Sequence, residues 1–141
     1  FLDSDPYYTL TNPANTLNSI VVSYYNGSTG GLALASGRGY TRTDLINPNI
    51  TAPGIEVEGA LPQGRFAVRS GASIAAAVTS GAAALLLEWL FQIGTPSIDS
   101  YQLKSLMILG AVRPPGMEYP NREWGFGQLN LYNTLDEMRR L

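Results

Sequence analysis

One serine, Ser73, stands where the polar turn Arg69-Ser70-Gly71-Ala72 meets the apolar run of "RSGASIAAAVTSGAAALLLEW" (69–89). A strand that turns sharply through Ser70-Gly71-Ala72 and becomes helical at Ser73 places the hydroxyl at a helix N-terminus. There, unsatisfied N–H groups and the helix dipole favour developing negative charge. Such a position suits a nucleophile. It also suits an N-cap, for which serine is among the preferred residues, and on position alone the cap is the default reading.

The chain contains no histidine, which removes the commonest general base and the commonest metal ligand together. It contains no cysteine either, which excludes a disulfide framework and a thiolate metal site. Nucleophilic chemistry at Ser73 therefore needs help from elsewhere. Other constellations carry less. Glu56 and Glu58 fall on one face of the strand-like "GIEVEGAL" (54–61) with nothing to split their pKa values, so a solvated strand face is the better reading. Gly37-Arg38-Gly39 lacks the lysine and the further glycine of a phosphate loop. Asn26-Gly27-Ser28 and Asn49-Ile50-Thr51 are glycosylation sequons in form only, and Trp89, Phe91, Trp124 and Phe126 read as packing residues.

The 141 residues are 45% hydrophobic and 14% charged, enough for one domain, or part of one, with a real core. A net charge of -2 leaves no electrostatic footprint for nucleic acid or an anionic membrane. The stretch Ile74 to Leu87 falls short of the roughly 18–20 apolar residues of a bilayer span and reads as a buried core helix. Small residues surround its first turns (Ala75, Ala76, Ala77, Ser80, Gly81, Ala82), which suits close packing beside a sheet. The chain starts at Phe1 with neither an initiator methionine nor a signal-peptide pattern, and reads as a piece of something longer.

Around Ser73 the sequence alternates strands, loops and helices. Ser19 to Tyr25 is β-branched and aromatic, a strand ended by Asn26-Gly27. "GLALAS" (31–36) is a second strand candidate, 37–51 a loop, 54–61 a half-buried strand, and "RFAVRS" (65–70) the short strand feeding the turn. A second helix starts at a Ser97 or Ser100 cap and stops at Gly110 and Pro114-Pro115. After the Gly-rich hairpin "WGFGQ", 131–141 reads as a terminal helix capped by Asn130, its Arg139 and Arg140 complementing the dipole.

The segment "SGASIAAAVTSGAAALL" (70–86) closely resembles the serine-bearing motif of subtilisin-like proteases, Ser-Gly-Thr-Ser-Met-Ala-(Ala/Ser)-Pro before a glycine- and alanine-rich helix. Ser73 matches the nucleophile. The likeness extends in order along the chain. "SGRGYTRTDLINPNITAPG" (36–54) resembles the family's Ser-Ser-Arg-Gly-Pro leading into Lys-Pro-Asp-Ile-x-Ala-Pro-Gly, with Arg38, Gly39, Pro48, Ala52, Pro53 and Gly54 matching. "NPANTLNSIVVSYYN" (12–26) and "WGFGQLNLYNTL" (124–135) resemble its proline loop with following strand and its closing hairpin with final helix. Within the family, "AAAVTSGAAALLLEW" and "YPNREWGFGQLNLYNTL" look most like the clostridial branch that includes the Csp proteases of spore germination. Ala77 stands where most members have proline, and Ala72 replaces the usual threonine.

The resemblance implies an α/β fold. Residues 1–141 would be the C-terminal portion of one three-layer catalytic domain, with a mostly parallel sheet and a buried central helix starting at the serine. It implies a serine endopeptidase acting through an acyl-enzyme, secreted or spore-associated, whose aspartate, histidine and oxyanion asparagine lie upstream of Phe1. By the resemblance Asp3 and Asp5 are not the triad aspartate, which in the family lies much farther from its serine. Thr11 and Ala14 would line the base of the S1 pocket, and Ser70, Gly71 and Ala72 would lie near the scissile bond. The implied partners are the N-terminal portion of the same protease and a polypeptide substrate or propeptide, with no nucleic acid and no membrane span. No cofactor is implied in this chain. Calcium belongs at most to the full domain, since no clustered oxygen-ligand loop stands out here. A catalytically inactive pseudoprotease acting as a binding or regulatory module is the alternative, and a purely structural fragment a third reading.

Overall fold

A computed structural model describes residues 5–95 and 97–140; Asp3 and Leu141 lie outside the described residues. The elements run β1 (Val22–Asn26), β2 (Ile50–Ile55), β3 (Val57–Leu61), β4 (Arg65–Arg69), α1 (Ala72–Gln92), α2 (Ser100–Leu109) and α3 (Leu131–Arg139). β1 and β2 pair in parallel, Val22 opposite Ile50 and Tyr24 opposite Ala52. Beyond β2 the last residue of "WGFGQ" extends the sheet, since Gln128 bridges Thr51 in parallel and Val112 antiparallel. The expected α/β architecture with a parallel sheet is thus present, with α1 laid across it.

Alternation along β2 decides what each face meets. Ile50 packs with Leu86, Leu90 and Met107, and Ala52 packs with Ala75, so this face carries α1. Thr51 points the other way and its hydroxyl lies 2.6 Å from that of Ser23, which satisfies two buried polar groups at once. The larger core joins α1 to α2 and α3 through Leu103, Leu106, Leu131, Leu135 and Met138. Helices α2 and α3 approach so closely that a Cβ on Gly110, just past the end of α2, would collide with the backbone and hydroxyl of Thr134.

Within α1 the buried residues are Ala75, Thr79, Leu86 and Leu90, one helical stripe. Leu85 (62%), Leu87 (42%) and Phe91 (80%) stay exposed on its other sides. The helix is longer than its apolar run suggests. At 21 residues it has the length and hydropathy to cross a membrane. The expected buried core helix is thus half-realised: one stripe is seated on β2 and the larger core, while most of the rest of its surface is exposed among the described residues.

Three local expectations are corrected. Residues 31–36 form no strand: only Leu32 bridges Tyr25, and the segment folds back so that Ala33 N–H and the Ser36 hydroxyl serve Tyr24 in place of a ladder. The run 54–61 is not one strand, because Glu56, at φ +53°, breaks it into the end of β2 and all of β3. Glu56 and Glu58 therefore share no continuous strand face, and both are exposed. Helix α2 is capped by Asp99 rather than Ser97 or Ser100, in a reciprocal box with Gln102 that satisfies two orphan donors. Helix α3 has the expected Asn130 cap, its side chain accepting from Asn133 N–H at 2.9 Å.

Candidate functional site

Ser73 is presented by a turn held by backbone hydrogen bonds and one serine hydroxyl. Strand β4 pairs with β3 as far as Val57 opposite Arg69, and the chain then reaches Gly71 at φ +148°, a conformation that only glycine adopts readily. Gly71 N–H donates to Gly54 O at 2.7 Å, and Gly71 O accepts from Ile74 N–H at 3.1 Å and Ala75 N–H at 3.3 Å. The residue before it, Ser70, accepts the Glu56 N–H at 2.8 Å and so closes the β2–β3 break against the turn.

Gly71 is therefore the N-cap of α1, and no side chain caps the helix. The default reading of Ser73 as the cap is wrong, because the helix starts two residues earlier than the last polar signal suggests. Ser73 is the second helical residue, and it is exposed. Among the described residues its hydroxyl and its N–H have no partner. A first-turn N–H has no acceptor four residues back, so it remains available to an anionic or carbonyl oxygen.

Gly54 makes this geometry possible. A Cβ there would lie 2.8 Å from Tyr24 Cβ, 2.9 Å from Gly71 O and 3.1 Å from Ala75 Cβ. Strand β2, the turn and the first turn of α1 are in contact across that one position.

Beside the turn lies a cleft of about 500 Å³ whose lining brings Ala72 together with Thr11 and Ala14, along with Leu10, Val22, Ser36 and Arg38. Ser70, Gly71 and Ser73 do not line it, although Ser73 follows Ala72 directly. The one charged side chain in the lining, Arg38, is tied to Glu123 at 2.7 Å. Among the described residues no cluster of three or more potential metal ligands occurs.

Several residues that hold this cleft were not singled out from sequence. Asn47 Nδ2 donates to Ala14 O at 2.7 Å, Asn49 Nδ2 donates to Asn47 Oδ1 at 2.9 Å, and Asn49 Oδ1 accepts from Val21 N–H. Both asparagines are buried in the β1–β2 connection. The available signal was the pair of amides flanking Pro48 just before a buried strand, where backbone groups need partners.

The sequence pattern of the subtilase family matches residues 3–127. The chain belongs to the subtilase family. Among solved structures, the Clostridium perfringens CspB protease is similar with 34% identity and a TM-score of 0.92, the match covering 99% of this chain and 31% of that one. The prenylagaramide maturation protease PagA is 26% identical, with a TM-score of 0.75, over 94% of this chain and 46% of its own. The PatG macrocyclase in complex with peptide is 25% identical, with a TM-score of 0.71, over 89% of this chain and 38% of its own. This subtilase chain thus spans less than half the length of these relatives. A comparison with curated proteins finds no match.

Proposed function

We propose that Ser73 is the nucleophile of a subtilisin-like serine endopeptidase. Residues 1–141 would supply the C-terminal part of its catalytic domain, and an upstream portion the aspartate, the histidine and the second oxyanion donor. The observation that carries this reading is the state of Ser73: exposed, at the first turn of α1, and not used as the cap. In the proposed reaction the histidine takes the proton from Ser73 Oγ as that oxygen attacks the scissile carbonyl, and the aspartate orients the histidine. The Ser73 N–H donates to the developing oxyanion, and the histidine returns its proton to the amine as the peptide C–N bond breaks and leaves the acyl-enzyme. Water, deprotonated by the same histidine, then hydrolyses the ester and restores the Ser73 hydroxyl, while Thr11, Ala14 and Ala72 line the cleft for the adjoining substrate side chain.

The open side of α1 supports the same division of the domain. Ala76, Ala77, Ser80, Gly81 and Ala84 are exposed small residues on a helix that seats only one stripe in a core, the surface that a further close-packed element would cover. A role in spore germination is proposed on the likeness to CspB and the clostridial branch.

Treating the full-length protein with a fluorophosphonate and mapping adducts by tandem mass spectrometry tests the reading. The expected result is an adduct on Ser73 that disappears when the protein is denatured before labelling. A folded protein that acquires no adduct overturns the proposal and leaves a pseudoprotease acting as a binding or regulatory module.

A further inference from the structure

We propose that Arg122 is a positioning residue for the substrate cleft, acting through an aromatic clamp that fixes the segment carrying Thr11 and Ala14; this rests on the reading of Ser73 and its cleft given above. Residues 5–19 contain neither helix nor strand, and their hydrogen bonds to one another are short-range turns such as Ala14 N–H to Thr11 O, so contacts with the rest of the chain set where that wall of the cleft stands. The Arg122 guanidinium lies 4.9 Å from the Tyr7 ring, 5.1 Å from Tyr8 and 5.5 Å from Tyr40. Two of these rings belong to the wall segment and the third to the chain that follows Arg38.

The clamp has a firm base. Asn121 and Gly125 exchange two backbone hydrogen bonds at 3.0 Å, Asn121 Oδ1 accepts from Glu123 and Trp124 N–H, and Arg122 O accepts from Gly39 N–H at 2.8 Å. One residue along from the rings, Thr9 N–H donates to Arg38 O and Arg38 N–H donates to Thr9 Oγ1, each at 2.9 Å. Tyr8 stands at φ +57°, a conformation a bulky residue keeps only when its surroundings hold it. No carboxylate pairs with Arg122 among the described residues. Its charge is met by the rings, which a flat guanidinium stacks on better than an ammonium does, and by the Tyr8 hydroxyl, which accepts from Arg122 Nη2 at 3.4 Å.

A displaced cleft wall weakens ground state and transition state alike, so the effect belongs in KM. In the full-length protein, Arg122→Leu is expected to raise KM for a peptide substrate about 10-fold with kcat within about 2-fold, and Arg122→Lys to recover part of the loss. The rate of fluorophosphonate labelling of Ser73, which reads the nucleophile alone, should stay unchanged. Hydrogen exchange should quicken at the amides of Tyr7 to Ala14 and stay unchanged along α1. Unchanged exchange at Tyr7 to Ala14, or a fall in kcat with KM unaltered, overturns the inference. Wild-type protein that neither labels nor cleaves overturns the reading of Ser73 and with it the clamp's role in binding, while the exchange data still decide whether the clamp holds the segment.

Discussion

Replacing Gly54 by alanine should damage stability and the presentation of Ser73 together. The added methyl would stand 2.8 Å from Tyr24 Cβ and 2.9 Å from Gly71 O, against the roughly 3.5 Å or more of an ordinary carbon contact. Both neighbours are fixed, one by the β1–β2 ladder and the other by its two bonds into α1, so neither rotates away. Overpacking of this kind costs about 1–3 kcal/mol, and two rigid contacts favour the upper half of that range. The strain has one soft outlet, movement of the Gly71 turn, which carries the first turn of α1 and Ser73 with it. A displacement near 1 Å at a reacting group lowers rate by on the order of 100-fold. Urea unfolding of full-length Gly54→Ala should therefore show about 2 kcal/mol less stability, and fluorophosphonate labelling of Ser73 should slow by about 10- to 100-fold. Stability within about 0.5 kcal/mol of wild type and labelling within about 2-fold would refute the claim that this contact sets the turn.

Gly81 should respond through a different partner: a Cβ there meets nothing within 4 Å among the described residues, so Gly81→Ala alone would gain about 1 kcal/mol of helix propensity. If a further part of the domain packs on that face of α1, the full-length variant loses about 1–3 kcal/mol instead, and a gain in urea unfolding counts against the proposed division. Lys104, buried with its ammonium on the Leu17 carbonyl, has a pKa lowered by desolvation from its usual 10.5. The folded chain then sheds this proton before the unfolded chain does, so Lys104's contribution to stability should rise with pH between the lowered value and 10.5. Lys104→Met should flatten that rise in denaturant midpoints measured along the window, and an equal slope in both proteins would rule the account out.

What was legible in the sequence was what local chemistry determines. The aromatic and β-branched run before Asn26-Gly27 made β1, Asn130 capped α3, and the small-residue run after Ser73 made α1. What escaped depended on partners distant in sequence. Residues 31–36 have strand-like composition, but Tyr24 takes its bonds there from Ala33 N–H and a serine hydroxyl, so no ladder forms. Glu56 looked like the middle of an alternating strand, and its positive φ makes sense only once the Ser70 hydroxyl is seen accepting its N–H. Ser73 was legible as a candidate, but its exclusion as a cap was not, because Gly71 offers no side chain to signal that the helix begins there. The cleft joins Leu10, Thr11 and Ala14 with Val22, residues 34–38 and Ala72, a meeting that spacing alone does not announce.

The two halves of the site are held by different kinds of force, and this separates what substitutions can do to them. Ser73 is placed by close backbone approach: Gly54 against Gly71, Gly71 carbonyl to two helix amides, and α1 on β2 through Ala75 and Leu86. Packed backbones deform little and have few alternatives, so a change there moves the hydroxyl or unfolds the domain. The cleft wall is placed by side chains on an irregular segment: Asn47 on the Ala14 carbonyl, Thr9 with Arg38, and Arg122 among three tyrosines. Each of these contacts can be removed singly while the others persist. Under the proposed function, the protein can therefore vary which side chain its cleft accepts without disturbing the nucleophile, and variation in residues 5–15 and 118–123 should appear in KM well before it appears in kcat.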